Sequence, residues 1–162
     1  MLKRVLVAVG LIAAASSSTP SPLTQLRLTP AEINAGTFNG SQVGSSGVVG
    51  VRSKVLFGDP AKSGFYSVLL SVPAHTTIAA HSHRDDRMAT VVSGEWRFGY
   101  GDRFDEKLLK TLPPGSVYSE PGRTNHFART GDDAVTVLIS GYGPSDTLYV
   151  DPANDPTLRE KK

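Results

Sequence analysis

Turn-forming residues divide this 162-residue chain into short segments from residue 51 onward, and this spacing limits the fold more than any other feature. The segments between the Gly, Pro and Asp clusters show no apolar periodicity of helical length. Many carry β-branched and aromatic side chains, which are typical of strands. We therefore expect an all-β chain. The predicted strands are 65–72, 89–92, 96–100, 108–112, 116–119, 125–128, 134–140 and 147–150.

Many short strands with regular turns favour a sandwich, a closed barrel or a jelly roll. Closing a sheet, or packing two sheets together, hides strand edges that would otherwise pair with other chains. A small barrel encloses an interior that holds side chains or one small ligand. We expect any functional site to lie in that interior.

Residues 1–22 have the pattern of a secretory signal peptide. Lys3 and Arg4 precede an apolar run at residues 5–15, and small residues follow. The run is shorter than the roughly 20 residues that span a bilayer. We therefore expect cleavage and a periplasmic or secreted protein without stable membrane association. The alternative interpretations are an uncleaved membrane anchor and a buried core strand.

The remaining chain is predicted to have three parts. Residues 23–50 form an N-terminal arm, residues 51–152 the β-barrel, and residues 153–162 a charged tail. Within the arm, Thr29 can cap one helical turn that begins with Pro30 and has Glu32 three residues after the cap.

The composition excludes several classes of function. The chain has no cysteine, so it cannot be a disulfide scaffold, a cysteine-ligated zinc module or an iron–sulfur protein. It has 17 Lys and Arg against 15 Asp and Glu, and removing Lys3 and Arg4 leaves 15 of each sign. We expect no nucleic-acid partner, because such binding needs a clustered basic face.

Four histidines occur, and two of them are closely spaced. His81 and His83 lie two residues apart in an extended segment, 76–83, so both rings face one side and can reach one point. Neutral imidazole binds transition metals. Two neighbouring surface histidines are the commoner explanation of such a pair, and we interpret His75 as a surface residue or an indirect neighbour of the site.

Glycine turns accompany these histidines in two groups. The groups are His81, His83 and Gly94, then Gly115, Pro121, Gly122 and His126. Together they resemble the two-motif signature of the cupin superfamily over residues 68–140. Three further segments resemble a group of small exported bacterial cupins with a single domain. These are 58–60, 99–105 and 149–152.

The resemblance implies a double-stranded β-helix, that is, a jelly-roll barrel. It implies that His81, His83 and His126 bind a divalent metal ion, one of Fe, Mn, Zn or Ni. It also implies a small-molecule ligand and a homodimer. The exposed strand edges and the arm suggest that the dimer forms by strand exchange or sheet extension.

The sequence departs from the family pattern most at Arg87, which stands in the first motif where glutamate is expected. In the second motif the spacing is shortened, and Thr130 stands where asparagine is expected. A guanidinium beside a divalent ion needs an anion nearby. Three arrangements remain open. Arg87 faces outward and Asp85 or Asp86 supplies a carboxylate, or a three-histidine metal site takes water and an anionic ligand, or a metal-free pocket binds an anion through Arg87. We favour the second.

These residues suggest a metal-dependent enzyme of the dioxygenase or isomerase type, acting on a small anionic or enolisable organic molecule. Arg87 is the candidate for binding a substrate carboxylate or enolate. Glu120 is the candidate acid–base group. The alternative is an exported cupin that binds a metal or a small ligand without catalysis. A third interpretation, which follows if Arg87 abolishes metal binding, is a degenerate cupin retained for its surface.

Overall fold

The computed structural model describes residues 23–40 and 42–159, so the predicted signal peptide and residues 160–162 of the predicted tail lie outside the described residues. The described chain is mostly β-structure. Its strands are β1 Arg52–Phe57, β2 Gly64–Val72, β3 Thr77–Ser82, β4 Arg87–Ser93, β5 Trp96–Tyr100, β6 Lys110–Leu112, β7 Val117–Glu120, β8 His126–Thr130, β9 Val135–Gly143 and β10 Leu148–Tyr149. Its α-helices are α1 Pro30–Ala35 and α2 Pro156–Arg159, with 3-10 turns at Glu106–Leu108 and Pro152–Asn154.

The strands form two antiparallel five-stranded sheets that enclose one core. The first sheet has the order β1-β2-β9-β4-β7, and the second has the order β10-β3-β8-β5-β6. Apart from β1–β2 and β5–β6, neighbours in each sheet are not consecutive in sequence, as in a jelly roll. The predicted all-β jelly-roll fold is confirmed.

Alternation along the long central strands builds the core. In β2, Tyr66, Leu70 and Val72 face inward and are buried, and β2 pairs with β9 along its whole length. Inward residues of β9, such as Val135 and Val137, are fully buried. Period-two burial of β-branched and aromatic side chains is what fixes the register of such a pair.

The N-terminal arm contacts the outer side of the first sheet. Helix α1 begins with the predicted cap: the Thr29 hydroxyl accepts from the Glu32 amide at 3.3 Å, and the Glu32 carboxylate accepts from the Thr29 amide at 2.7 Å. The Lys54 ammonium donates to the Ile33 carbonyl and lies 4.3 Å from the centroid of the Phe38 ring. The arm therefore covers part of β1.

Three details differ from the sequence expectation. Leu108, predicted to begin a strand, belongs to the 3-10 turn Glu106–Leu108, and β6 begins at Lys110. Strand β1 was not predicted, because Ser53 and Lys54, both buried, interrupt its apolar pattern. Strand β3 ends at Ser82, so His83 lies one residue beyond the strand. Neither α1 nor α2, the α-helices of the described residues, is long and apolar enough to cross a membrane.

Candidate metal centre

Two adjacent strands of the second sheet bring the three candidate ligands together. His81 on β3 is the register partner of His126, the first residue of β8, and His83 follows directly after β3. One ring nitrogen from each lies within 4.8 Å of the other two. All three side chains are buried. The structure thus brings together the three histidines that the motifs indicate as candidate metal ligands.

Backbone carbonyls fix how each ring presents its nitrogens. Nδ1 of His81 lies 2.8 Å from the Ala79 carbonyl, and Nδ1 of His126 lies 3.0 Å from the Thr124 carbonyl. Nδ1 of His83 bonds the Asp146 carbonyl. A carbonyl only accepts, so each Nδ1 carries the proton and donates it, which leaves each Nε2 with a free lone pair.

The Nε2 atoms of His83 and His126 are buried and have no hydrogen-bond partner among the described residues. Burial lowers the pKa of His81 to about 3, and burial also lowers the pKa of His83 and His126. The rings are therefore neutral at neutral pH, as metal ligation requires. Neutral, buried and unpartnered imidazole nitrogens aimed at one point fit a transition-metal ion.

Arg87 and Glu120 form a buried ion pair beside the histidines. They are register partners on β4 and β7, and Arg87 Nε donates to Glu120 Oε2 at 2.6 Å while Nη2 contacts the same oxygen. Glu120 Oε2 lies 3.9 Å from Nε2 of His83, and Oε1 lies 3.9 Å from Nε2 of His126. The neighbouring strand thus supplies the carboxylate that the motif lacks at position 87.

The interpretation in which Arg87 faces outward is wrong, because its side chain is buried and lines the same cavity as the histidines. Asp85 and Asp86 have other partners. Asp85 Oδ2 accepts from the Tyr66 hydroxyl at 2.6 Å, and Asp86 Oδ1 accepts from the Gly122 amide at 2.7 Å.

Opposing effects set the ionisation of the pair. Burial, the largest single effect, raises the pKa of Glu120, but the charge and hydrogen bond of Arg87 together with the adjacent histidines outweigh it and leave that pKa below its ordinary value. Burial is also the largest single effect on Arg87 and lowers its pKa, but Glu120, Tyr66 and Asp85 together outweigh it, so that the pKa is raised. Both groups are therefore charged, and together they add no net charge beside the histidines.

The cavity at this centre is small, about 20 Å³. That volume holds about one water molecule. Residues 44–46, here called the strap, cover it: the Gly44 carbonyl accepts from Arg87 Nη1 at 2.7 Å, and the Ser46 carbonyl accepts from the Tyr149 hydroxyl at 2.5 Å. Gly44 has a φ of 78°, and a Cβ there would lie 2.7 Å from the Ser145 hydroxyl, so the strap needs glycine at this point.

The strap and Tyr149 are site residues that the sequence did not reveal. Glycine- and serine-rich composition at residues 39–50 predicts a loop, but nothing in it indicates where the loop packs. The Tyr149 ring lies 5.3 Å from the His81 ring. His75 is exposed, and its Nδ1 lies 3.7 Å from Asp132, so its interpretation as a surface residue is confirmed.

The fold and the buried donor group define a jelly-roll barrel with a histidine cluster that can hold a metal ion. No protein-family model matches the sequence, and no curated protein matches it. Solved structures do match. The polyketide cyclase RemF from Streptomyces resistomycificus has a TM-score of 0.62 and 14% identity, with 86% of this chain and 94% of that chain covered.

A cupin 2 conserved barrel domain protein from Rhodopseudomonas palustris has a TM-score of 0.51 and 18% identity, with 69% of this chain and 74% of that chain covered. A chain from the crystal structures of the DMSP lyases RdDddP and RnDddQII has a TM-score of 0.52 and 19% identity, with 65% of this chain covered. This protein spans only 56% of that chain. The protein has the fold of the cupin superfamily, as its histidine and glycine motifs predict.

Proposed function

We propose that this protein is an exported cupin that binds one divalent metal ion through His81, His83 and His126. The observation that supports this most directly is the pair of buried, unpartnered Nε2 atoms on His83 and His126. A buried polar atom without a partner costs about 1–3 kcal/mol, and a coordinated ion removes that cost. Imidazole ligands suit Fe, Mn, Zn and Ni alike, so the donor set supports a transition metal without selecting one.

Glu120 is the proposed fourth donor or acid–base group of this site. Its carboxylate lies 3.9 Å from Nε2 of both His83 and His126, and Arg87 holds it from the other side. Because Arg87 neutralises Glu120, a divalent ion here would keep most of its positive charge. A small anion would compensate that charge, which supports an anionic ligand.

We further propose that the site acts on a small anionic or enolisable molecule, as a dioxygenase or an isomerase would. A bound ion would supply Lewis-acid polarisation of a carbonyl, or a redox centre if it is iron. Arg87 Nη1 now donates to the strap carbonyl of Gly44. Movement of the strap would free Arg87 Nη1 to bind a substrate carboxylate. The same movement would enlarge the cavity. Both conditions for binding a substrate, a free donor and a larger cavity, therefore depend on the strap.

A second candidate function is metal binding without catalysis. The specific observation that favours it is the closed cavity of about 20 Å³, which has room for an ion or a water molecule and not for an organic molecule. If the strap stays closed, the protein holds its metal and nothing larger.

Metal titration of untagged, metal-stripped protein tests metal binding, which both candidate functions require. Isothermal titration with Zn²⁺, Mn²⁺, Ni²⁺ and anaerobic Fe²⁺ should show one site per chain for at least one of these ions. His126→Ala should weaken binding at least about 100-fold, because one of three donors is lost. His75→Ala is the matched control, since this exposed histidine lies outside the cluster. Absence of binding, or equal loss in both variants, contradicts the proposal.

Activity assays then separate the two candidates. Metal-loaded protein is tested for oxygen uptake and for NMR-detected isomerisation with panels of small acids and diketones. Turnover that disappears in Arg87→Met while metal remains bound supports an enzyme. Tight stoichiometric metal without turnover supports the non-catalytic candidate.

A further inference from the structure

The three consecutive carbonyl groups of the strap are held by side chains. Each accepts a hydrogen bond from a different donor: the carbonyl of Gly44 from Arg87 Nη1 at 2.7 Å, that of Ser45 from the Thr147 hydroxyl at 2.9 Å, and that of Ser46 from the Tyr149 hydroxyl at 2.5 Å. None of these carbonyls accepts from a backbone amide among the described residues. The strap therefore closes the cavity without joining either sheet.

These three donors lie around the histidine cluster. Arg87 lines the cavity at the cluster. The Tyr149 ring lies 5.3 Å from the His81 ring. The Thr147 hydroxyl lies 3.4 Å from Nδ1 of His83. An amide carbonyl is an acceptor of the same kind as the carbonyl or carboxylate oxygen of a small organic acid. The strap thus occupies the donors that the oxygens of a ligand beside the cluster would need.

The strap has free space on its outer side. A groove of about 660 Å³ separates it from the β1–β2 connection and from α2. Ser45 and Gly47 line the groove on the strap side, and Pro60 and Thr157 line it on the other sides. Gly44 and Gly47 bracket the strap with φ values of 78° and 72°, in the region where glycine moves most freely. The strap can therefore swing outward without displacing a strand.

We propose that the strap is a displaceable lid, and that Arg87, Thr147 and Tyr149 form the donor set for a short organic acid that replaces it. The proposal rests on the proposed function, because these donors serve a ligand only if one binds beside the histidine cluster. Thr147 and Tyr149 then determine which ligands bind, since Arg87 alone would accept any carboxylate.

The ligand class follows from the groups that the ligand replaces. All three side chains donate in the closed state, so they fit acceptor oxygens. Two Cα–Cα steps separate the first strap residue from the last, so the three acceptors are spread over a distance on the order of 7 Å. A short acid with a second carboxylate or an oxo group has oxygens at such a spacing. A lone small carboxylate such as acetate cannot reach all three donors.

Exchange of the strap for such an acid costs little in hydrogen bonding. Three hydrogen bonds to peptide carbonyls are replaced by three to ligand oxygens, and the released strap regains conformational entropy. A ligand opens the lid only if it binds the open state better than the closed one. In the absence of such an acid the strap therefore stays closed and keeps the histidine cluster buried.

Thiol labelling of a strap cysteine measures opening without metal or ligand. The chain has no native cysteine, and Ser46 is buried, so Ser46→Cys should react with a thiol reagent only when the strap opens. Adding Tyr149→Phe should raise the labelling rate at least about threefold, because one of three restraints is lost. Ala89→Cys, a buried cysteine in the apolar core, is the matched control for global opening. An unchanged rate, or an equal rise in the Ala89→Cys protein, overturns the lid.

Isothermal titration of the zinc-loaded protein tests the donor set and does not depend on the cysteine variant folding. Malate and succinate should bind once per chain and at least about tenfold more tightly than acetate. Tyr149→Phe should weaken malate binding about tenfold while the zinc affinity changes less than twofold. Tyr142→Phe, at an exposed tyrosine, is the matched control.

Malate should also raise the labelling rate of zinc-loaded Ser46→Cys at least about tenfold. Binding of the dicarboxylates no tighter than that of acetate, or equal loss in both tyrosine variants, overturns the donor set. A wild type that binds no zinc contradicts the proposed metal site instead, and the metal-free labelling then still decides whether the strap is a lid.

Discussion

The two ends of the barrel interior are filled by side chains of opposite character, apolar at one end and polar at the other. One end is filled by apolar side chains of the strand segments around Val91, Leu112 and Val135, with no charged group among them. The other end holds three neutral imidazoles and one ion pair, supplied where β3 and β7 end and where β4 and β8 begin. Apolar burial stabilises a fold at any site, whereas buried polar groups cost free energy unless they are paired. The apolar end thus explains why the chain folds, and the polar end explains what it can bind.

Removing a large side chain from the apolar end should have the largest effect on stability. Leu112→Ala removes a buried isobutyl group that does not line the histidine cavity, and substitutions of this kind cost about 2–5 kcal/mol. Urea denaturation measures the change in the free energy of unfolding. Metal stoichiometry at the polar end should stay at one ion per folded chain. A folded Leu112→Ala protein that binds no metal would show that the two ends are not separable.

Breaking the ion pair should be nearly as costly and should depend on metal. Arg87→Met leaves the Glu120 carboxylate buried without a guanidinium, which we expect to cost about 3 kcal/mol in metal-free protein. The double variant with Glu120→Gln should be less destabilised than the single variant, because no buried charge is left. Added metal should restore part of the loss in Arg87→Met. If metal-free Arg87→Met and wild-type protein had equal free energies of unfolding, the Arg87–Glu120 ion pair would have to be solvated.

Acidification should destabilise the metal-free protein through the polar end. The folded state holds the pKa of His81 at about 3, against an ordinary value of 6.5. Between these two pH values the unfolded chain binds a proton that the folded chain excludes, so stability falls as pH falls. For His81 alone the loss at pH 5 is about 2 kcal/mol.

Urea denaturation at pH 7 and pH 5 measures this loss. His81→Gln should reduce the difference between the two pH values, whereas His75→Ala, at an exposed position, should leave it unchanged. A metal-free wild type with the same free energy of unfolding at both pH values would contradict neutral burial of the histidines.

The smallest expected effect concerns Tyr66 and Asp85, which lie next to the ion pair in the structure. The Tyr66 hydroxyl donates to Asp85 Oδ2 at 2.6 Å, and burial raises the pKa of Tyr66 to about 12. Tyr66→Phe should cost about 1–2 kcal/mol, because the buried carboxylate loses its donor. Tyr142→Phe is the matched control, since the Tyr142 side chain is exposed. An equal or larger cost for the Tyr142 variant would reverse this assignment.

Local signals in the sequence were sufficient for most of the barrel and for the histidines. Turn residues bracket β2, β5 and β9, so their positions follow from nearby residues alone. The cap of α1 follows from Thr29 and Glu32 for the same reason. Spacing alone indicated only that His81 and His83 face one side, and the resemblance to the cupin motifs added His126. The strand pairing of β3 with β8 brings His81 and His126 together.

Features that depend on long-range pairing could not be predicted. The sequence named Glu120 as a candidate acid–base group but not its partner. Glu120 lies beside the histidines because β7 pairs with β4 in a register that places it opposite Arg87, and no local pattern encodes that register. The strap closes the cavity through carbonyl groups, which every residue carries, so its composition gives no signal. Strand β1 was missed because its buried Lys54 is satisfied by the Ile33 carbonyl of the arm.

The central claim is that the three imidazoles bind one metal ion, and anomalous X-ray diffraction from crystals of metal-loaded, untagged protein tests it most directly. The account predicts a single anomalous peak at about 2.0–2.2 Å from Nε2 of His81, His83 and His126. A peak at His75 or elsewhere on the surface, with none at the three buried nitrogens, would contradict it.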